Sequence, residues 1–173
     1  MNRDLFSGAL PTESEDSGSS NGARDATAEL SADVVEFFSV RGENVRLLQR
    51  FFVHFADQSN SMKSFHMSES WASKMFAEFF LQGDRERDLG LPVHPLRDRH
   101  TLNRPLAQAN IIELCIAPMS MAASLIMPGL LMCEDMLFEN LDKWLDEWKE
   151  TGPSEDDWTR VSERINKLRL YKP

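Results

Sequence analysis

The sequence is poor in cysteine, histidine and positive charge, and each shortage closes off a class of explanation. The two cysteines, Cys115 and Cys133, stand in apolar runs. They offer no disulfide framework and fit a reducing, cytoplasmic setting. A formal net charge of −9 speaks against a general nucleic-acid binder, which needs clustered Lys and Arg to displace counterions from phosphates. The four histidines, His54, His66, His94 and His100, include no pair spaced H-x3-H, and none is followed by aspartate. No segment sustains a period of two, so strands are not expected. Residues 1–31 hold no apolar run that could serve as the core of a secretory signal, and their acidic residues do not suit an organellar transit peptide.

What is present suits a helical domain. Hydrophobic residues make up 42% of the chain, with 11 Phe and 4 Trp, enough to build a core. The charge is local: residues 134–157 carry net −8, whereas residues 32–133 carry only −1. That acidic segment reads as a solvated helix face. Residues 1–31 read as a disordered acidic, Ser/Gly-rich leader, because ESEDSGSSNGARDAT has no apolar period with which to offset its conformational entropy. The body is expected over 32–152, and a C-terminal helix or tail over 153–173.

Within the body, Leu47, Leu48, Phe51, Phe52 and Phe55 form an amphipathic helical stripe. A second helix is expected from Ser68, as its N-cap, to Gln82, with Gly83 as the stop. From Asp84 to Pro105 the chain reads as a loop punctuated by Gly90, Pro92 and Pro95. Helix resumes at Pro105. Leu137, Leu141, Trp144, Leu145 and Trp148 mark another helix ending near Gly152-Pro153, and a last one is expected over Glu155 to Leu170 with Ser154 as its cap. The fold class expected is all-α, a compact multi-helix bundle. Leu114 to Cys133 is uncharged over twenty residues, long enough for a membrane span. Pro118, Pro128 and Gly129 interrupt it, and no Lys or Arg flanks it closely, so it reads as a buried, kinked core helix with no membrane contact.

His54 and Asp57 are three apart and share a helix face. Alone, such a pair is more often a core histidine bonded to a carboxylate than a metal site. Three segments in order add weight to it: HFADQSN (54–60), then EFFLQGDRERDLGLPVHPLRDR (78–99), then QANIIELCIAP (108–118). Over about residues 44–150 this resembles the C-terminal half of the class I 3′,5′-cyclic-nucleotide phosphodiesterase catalytic domain. That family reads HxADxSNP, EFFxQGDxExxLGLPxSPxxDR and SQxGFIxFxxxP at the same places.

The resemblance implies an all-α enzyme that uses divalent metals, Zn²⁺ and Mg²⁺ or Mn²⁺, to hydrolyse cyclic AMP or cyclic GMP to the 5′-monophosphate in signalling. It places Asp57 at the metal site, where a hard anionic oxygen donor suits such ions, and His54 in support behind it. It places Gln108 and Asn60 at the purine, Gln108 having an amide that can both donate and accept. Ile111 stands where the family has the phenylalanine clamp, giving an apolar face without aromatic stacking. Asn110 replaces a small residue, Arg97 a cysteine-like one, and Ser61 the proline of SNP. The family's HNxxHxxD motif and its later His-Asp pair, which supply the general acid and further metal ligands, have no counterpart here, so no catalytic acid is identifiable. The expectation is therefore a partial catalytic domain, inactive or nearly so alone, that self-associates or pairs with a complementary catalytic half. The alternative left open is a non-catalytic, phosphodiesterase-like binding or regulatory module.

Overall fold

The computed structural model describes residues 32–39 and 42–171; the expected leader over 1–31 lies outside them. Among the described residues all regular structure is helical. The α-helices are α1 (Ala32–Ser39), α2 (Gly42–Asp57), α3 (Phe65–Asp88), α4 (Arg104–Ile111), α5 (Ala117–Ile126), α6 (Leu131–Glu150) and α7 (Glu155–Arg169). Short 3-10 turns occupy Gln58–Met62, Pro95–Arg97 and Pro128–Leu130, and a π-turn, Ile112–Ile116, joins α4 to α5.

Helix α6 is the central element. Its apolar stripe recurs every three or four residues, so Leu137, Phe138, Leu141, Trp144, Leu145 and Trp148 fall on the inward side, and all are buried. They pack against α4, α5 and the Gln58–Met62 turn. The stripe ends where expected: Gly152 takes a left-handed φ of 72°, a backbone turn that costs glycine nothing. Ser154 then caps α7 by accepting from the Asp157 amide at 3.1 Å. Helix α7 buries Val161 and Ile165 and packs Trp158 at a tilt against Trp148, ring centroids 5.5 Å apart.

Two boundaries differ from the sequence reading, and both differences have a tertiary cause. Helix α3 begins at Phe65, not Ser68, because Phe65 packs on Trp144 with centroids 5.2 Å apart and anchors a turn earlier. Ser68 is thus a fully buried residue of the helix interior, on one face with Ala72 and Phe76. Gly83 does not stop the helix. It lies buried within α3, where an added Cβ would sit 2.8 Å from the carbonyl carbon of Arg97 and closer still to its oxygen. Glycine is there for close approach, and the helix runs on to Asp88, so the loop begins later than Asp84.

The apolar stretch after Leu114 is not one kinked helix either. Pro118 has no amide proton to give the Leu114 carbonyl and its ring crowds that oxygen; the chain answers by widening into the π-turn just before it. The helical run then breaks at Met127, which leaves helical φ/ψ, before α6 starts. Arg104–Ile126 is long and apolar enough to cross a membrane by length and composition, and half of its most apolar window is buried against the rest of the protein.

Candidate functional site

The end of α2 presents the first two site candidates. Arg46, Gln49, Arg50, Val53, His54 and Asp57 recur at helical spacing and line one open cavity of about 640 Å³. The opposite side of α2 turns Phe55 into the core, which is why the polar residues must face outward. His54 and Asp57 are both exposed, and the structure brings them together as the spacing predicted. Asp57 accepts from Gln58 Nε2 at 3.3 Å.

Asn60 follows in the 3-10 turn, half-buried, with its Oδ1 accepting from Ser61 Oγ at 3.2 Å. The turn is held from across the fold. Asn140 of α6, 2% exposed, donates through Nδ2 to the carbonyls of Ser61 at 2.8 Å and Lys63 at 2.7 Å. These bonds do from a distance what a proline at Ser61 would do locally: they fix the chain after Asn60. The sequence reading passed over Asn140. Its signal was there, an amide set inside the apolar stripe between Leu137 and Leu141, where a buried polar group must find partners.

Gln108 and Ile111 sit on α4 and do not line the α2 cavity. Gln108 is 2% exposed, and its Oε1 has no hydrogen-bond donor. Ile111 is half-buried against the core. The Gln58–Met62 turn touches the π-turn, so the two halves of the candidate site are joined through their connecting turns rather than around one cavity. No group of three or more His, Cys, Asp or Glu that could hold a metal ion occurs among the described residues. Asp57 by itself does not make a metal centre, which needs several ligands in fixed geometry.

The long motif between α3 and α4 proves to be a clasp. Arg97 closes on Glu86 at 2.5 Å, Arg99 on Asp84 at 2.5 Å, and Arg87 bridges to Asp98 at 2.9 Å. Asp98 also accepts the His100 amide at 3.0 Å. That bond first, and the Arg87 guanidinium beside it, hold the Asp98 carboxyl below the ordinary aspartate range. Arg99 lies over the Phe80 ring, 5.5 Å from its centroid. Gly83 lets the loop backbone lie directly on the helix. Six charged residues of the motif, Asp84, Glu86, Arg87, Arg97, Asp98 and Arg99, thus fold residues 95–99 back onto α3.

Comparison with known proteins identifies the family. A family model described as 3′5′-cyclic nucleotide phosphodiesterase matches residues 17–137. The human high affinity cGMP-specific 3′,5′-cyclic phosphodiesterase 9A is 27% identical over 126 residues, 73% of this chain and 21% of that protein. Isoform F of the Drosophila melanogaster 3′,5′-cyclic-AMP phosphodiesterase is 34% identical over 119 residues, 63% of this chain and 18% of that protein. The chain therefore spans about a fifth of the length of these relatives. Among solved structures, LmjPDEB1 in complex with IBMX superposes with a TM-score of 0.61 at 24% identity, covering 68% of this chain and 38% of that one, a likeness of fold. With the family model matching well over half of its residues, the chain belongs to the 3′,5′-cyclic nucleotide phosphodiesterase family.

Proposed function

We propose that this chain carries the nucleotide-facing part of a cyclic-nucleotide phosphodiesterase site and has little or no hydrolytic activity alone. The observation that carries the reading is the retained turn after α2. Asp57 ends the helix, Asn60 follows three residues later, and Asn140 pins the backbone between α2 and α3. A turn held across the fold by two bonds from a buried amide, one of them itself buried, is a costly way to display a surface carboxylate unless its position matters.

Gln108 would read the purine edge. Its Oε1 is a buried acceptor without a donor, a state that costs about 1–3 kcal/mol and that a purine N–H reaching it would relieve. Ile111, one turn further on, would supply the apolar wall. Asp57 would contribute one carboxylate to a divalent-metal site, His54 lying beside it on the same helix face. Hydrolysis needs water to attack phosphorus while the bond to the 3′ oxygen breaks and that oxygen gains a proton. The family's HNxxHxxD motif, which supplies that proton donor, has no counterpart in this sequence.

The test is a binding and turnover assay on the purified 173-residue chain, with cyclic AMP and cyclic GMP and with added Mg²⁺, Mn²⁺ or Zn²⁺. The expected result is measurable nucleotide binding, weakened by Gln108→Ala, with little turnover. Absence of binding to either nucleotide would overturn the reading. Efficient turnover that Asp57→Ala abolishes would overturn the claim of inactivity. A second reading, a non-catalytic module that docks on another chain, is favoured by α2, where Val45 and Leu47 are exposed and Val53 is exposed in the wall of the cavity. In that case the chain runs larger than a monomer in size-exclusion chromatography, and Val53→Glu restores the monomer.

A further inference from the structure

We propose that Arg164 of α7 is a positioning residue for Gln108 and Ile111: its guanidinium holds the junction of α4 and the π-turn in register. The inference rests on and deepens the proposed function, in which Gln108 meets the purine.

The contact is specific. Arg164 Nε donates to Glu113 Oε1 at 2.9 Å and Nη2 to Glu113 Oε2 at 2.5 Å, a two-pronged ion pair. Nη2 also donates to Asn110 Oδ1 at 2.7 Å. Glu113 is only 8% exposed. The base of the arginine is fixed as well, since Val161 and Ile165, on the same face of α7, are buried.

The two residues that Arg164 joins lie on different elements. Asn110 belongs to α4 and Glu113 to the π-turn, so the fork spans the place where the backbone bonding pattern changes. A π-turn accommodates one extra residue, and an added residue turns everything upstream by roughly 100° relative to the helix downstream. Gln108 and Ile111 lie just upstream. Their direction is therefore set by whether the junction keeps its π register, and Arg164 is the side chain that bonds both sides of it. Asn110, which replaces a small residue of the family pattern, supplies the acceptor on the α4 side. Arg164 acts through Asn110 and Glu113, as a residue that aims others.

Amide hydrogen exchange on the full chain tests the geometry whether or not a nucleotide binds. Arg164→Ala and Glu113→Gln are expected to speed exchange across 108–116 by about three- to tenfold, as loss of a half-exposed charge-assisted pair implies. Exchange in α3 should be unchanged, and the exposed Cys115 thiol should label faster. Arg164→Lys should recover part of the protection. Arg160→Ala, which removes an exposed pair within α7, should leave all of these at wild-type values. Unchanged exchange over 108–116, or a rise spread evenly over every helix, overturns the proposal. The functional arm is the ratio of affinities for fluorescent cyclic AMP and cyclic GMP. Arg164→Ala should shift it at least about threefold, whereas a merely structural contact would weaken both alike and leave the ratio fixed. If the wild-type chain binds neither nucleotide, the reading of Gln108 fails, and the exchange experiment still decides the role of Arg164.

Discussion

The clasp and the candidate site are built from stretches equally typical of the family, yet they are constructed in opposite ways. In the clasp, Asp84, Glu86, Arg87, Arg97, Asp98 and Arg99 pair with one another, Glu86 through one oxygen while its Oε2 is left without a donor, and Gly83 is buried under the loop they hold. At the site, His54 and Asp57 face an open cavity, and Gln108 keeps an acceptor without a donor. The difference separates two reasons for a residue to stand where it does. Groups that already satisfy each other stabilise a fold. Groups left exposed at an open cavity are free to meet something else. The run QGDRERDLGLPVHPLRDR, which identifies the family most readily, supplies the charged groups of the clasp.

The strongest way to break this contrast is Gly83→Ala. At an ordinary helix interior that change stabilises by up to about 1 kcal/mol. Here the new methyl would overlap the Arg97 carbonyl, and the loop must lift. We expect a loss on the order of 3 kcal/mol in urea denaturation. A variant at least as stable as wild type would mean that the loop does not rest on α3.

Asn140→Ala comes next, because the site's turn has a structural support of its own. The substitution removes the Asn140 donor from the carbonyls of buried Ser61 and of exposed Lys63. It should cost about 2–3 kcal/mol and raise exchange in residues 58–63 first. If the loss appears without local loosening of that turn, the site is not held in the way described. Asp57→Ala sits at the other extreme. The residue is exposed and its described bond comes from neighbouring Gln58, so stability should stay within about 0.5 kcal/mol of wild type. A large loss would move Asp57 from the site to the scaffold.

Parts of this division were legible in the sequence. The stripe from Leu137 to Trp148 announced α6, Ser154 announced the cap of α7, and the three-residue step from His54 to Asp57 announced a shared face. These are local properties of a helix, and local properties are written in spacing. The start of α3 was not legible, because Phe65 gains its helical turn only by packing on Trp144, far along the chain. Gly83 carried the signal of a helix stop, and only the arrival of Arg97 at that position gives it another meaning. Gln108 could be recognised by motif, but its burial depends on neighbours that no spacing records. The π-turn had a trace in Pro118, whose missing amide demands some irregularity without saying which.

The smallest expected effect lies within the clasp and concerns pH. Asp98 accepts the His100 amide and pairs with Arg87, so its carboxyl titrates lower in the folded protein than in the unfolded chain. A group whose folded value is depressed contributes stability that is complete above the unfolded value of about 4 and is lost as pH falls through the folded value. The melting temperatures of wild type and Asp98→Asn should therefore differ by a constant small margin above about pH 5, with wild type the higher, and the margin should close as the pH is lowered below about 4. Asparagine retains an acceptor for the His100 amide, so what the margin reports is the charge rather than the bond. Because the Arg87–Asp98 pair is partly solvent-exposed, added salt should narrow the margin at neutral pH. A margin that stays the same from pH 3 to pH 6 would show that the clasp is closed by backbone fit around Gly83, with its charges playing little part.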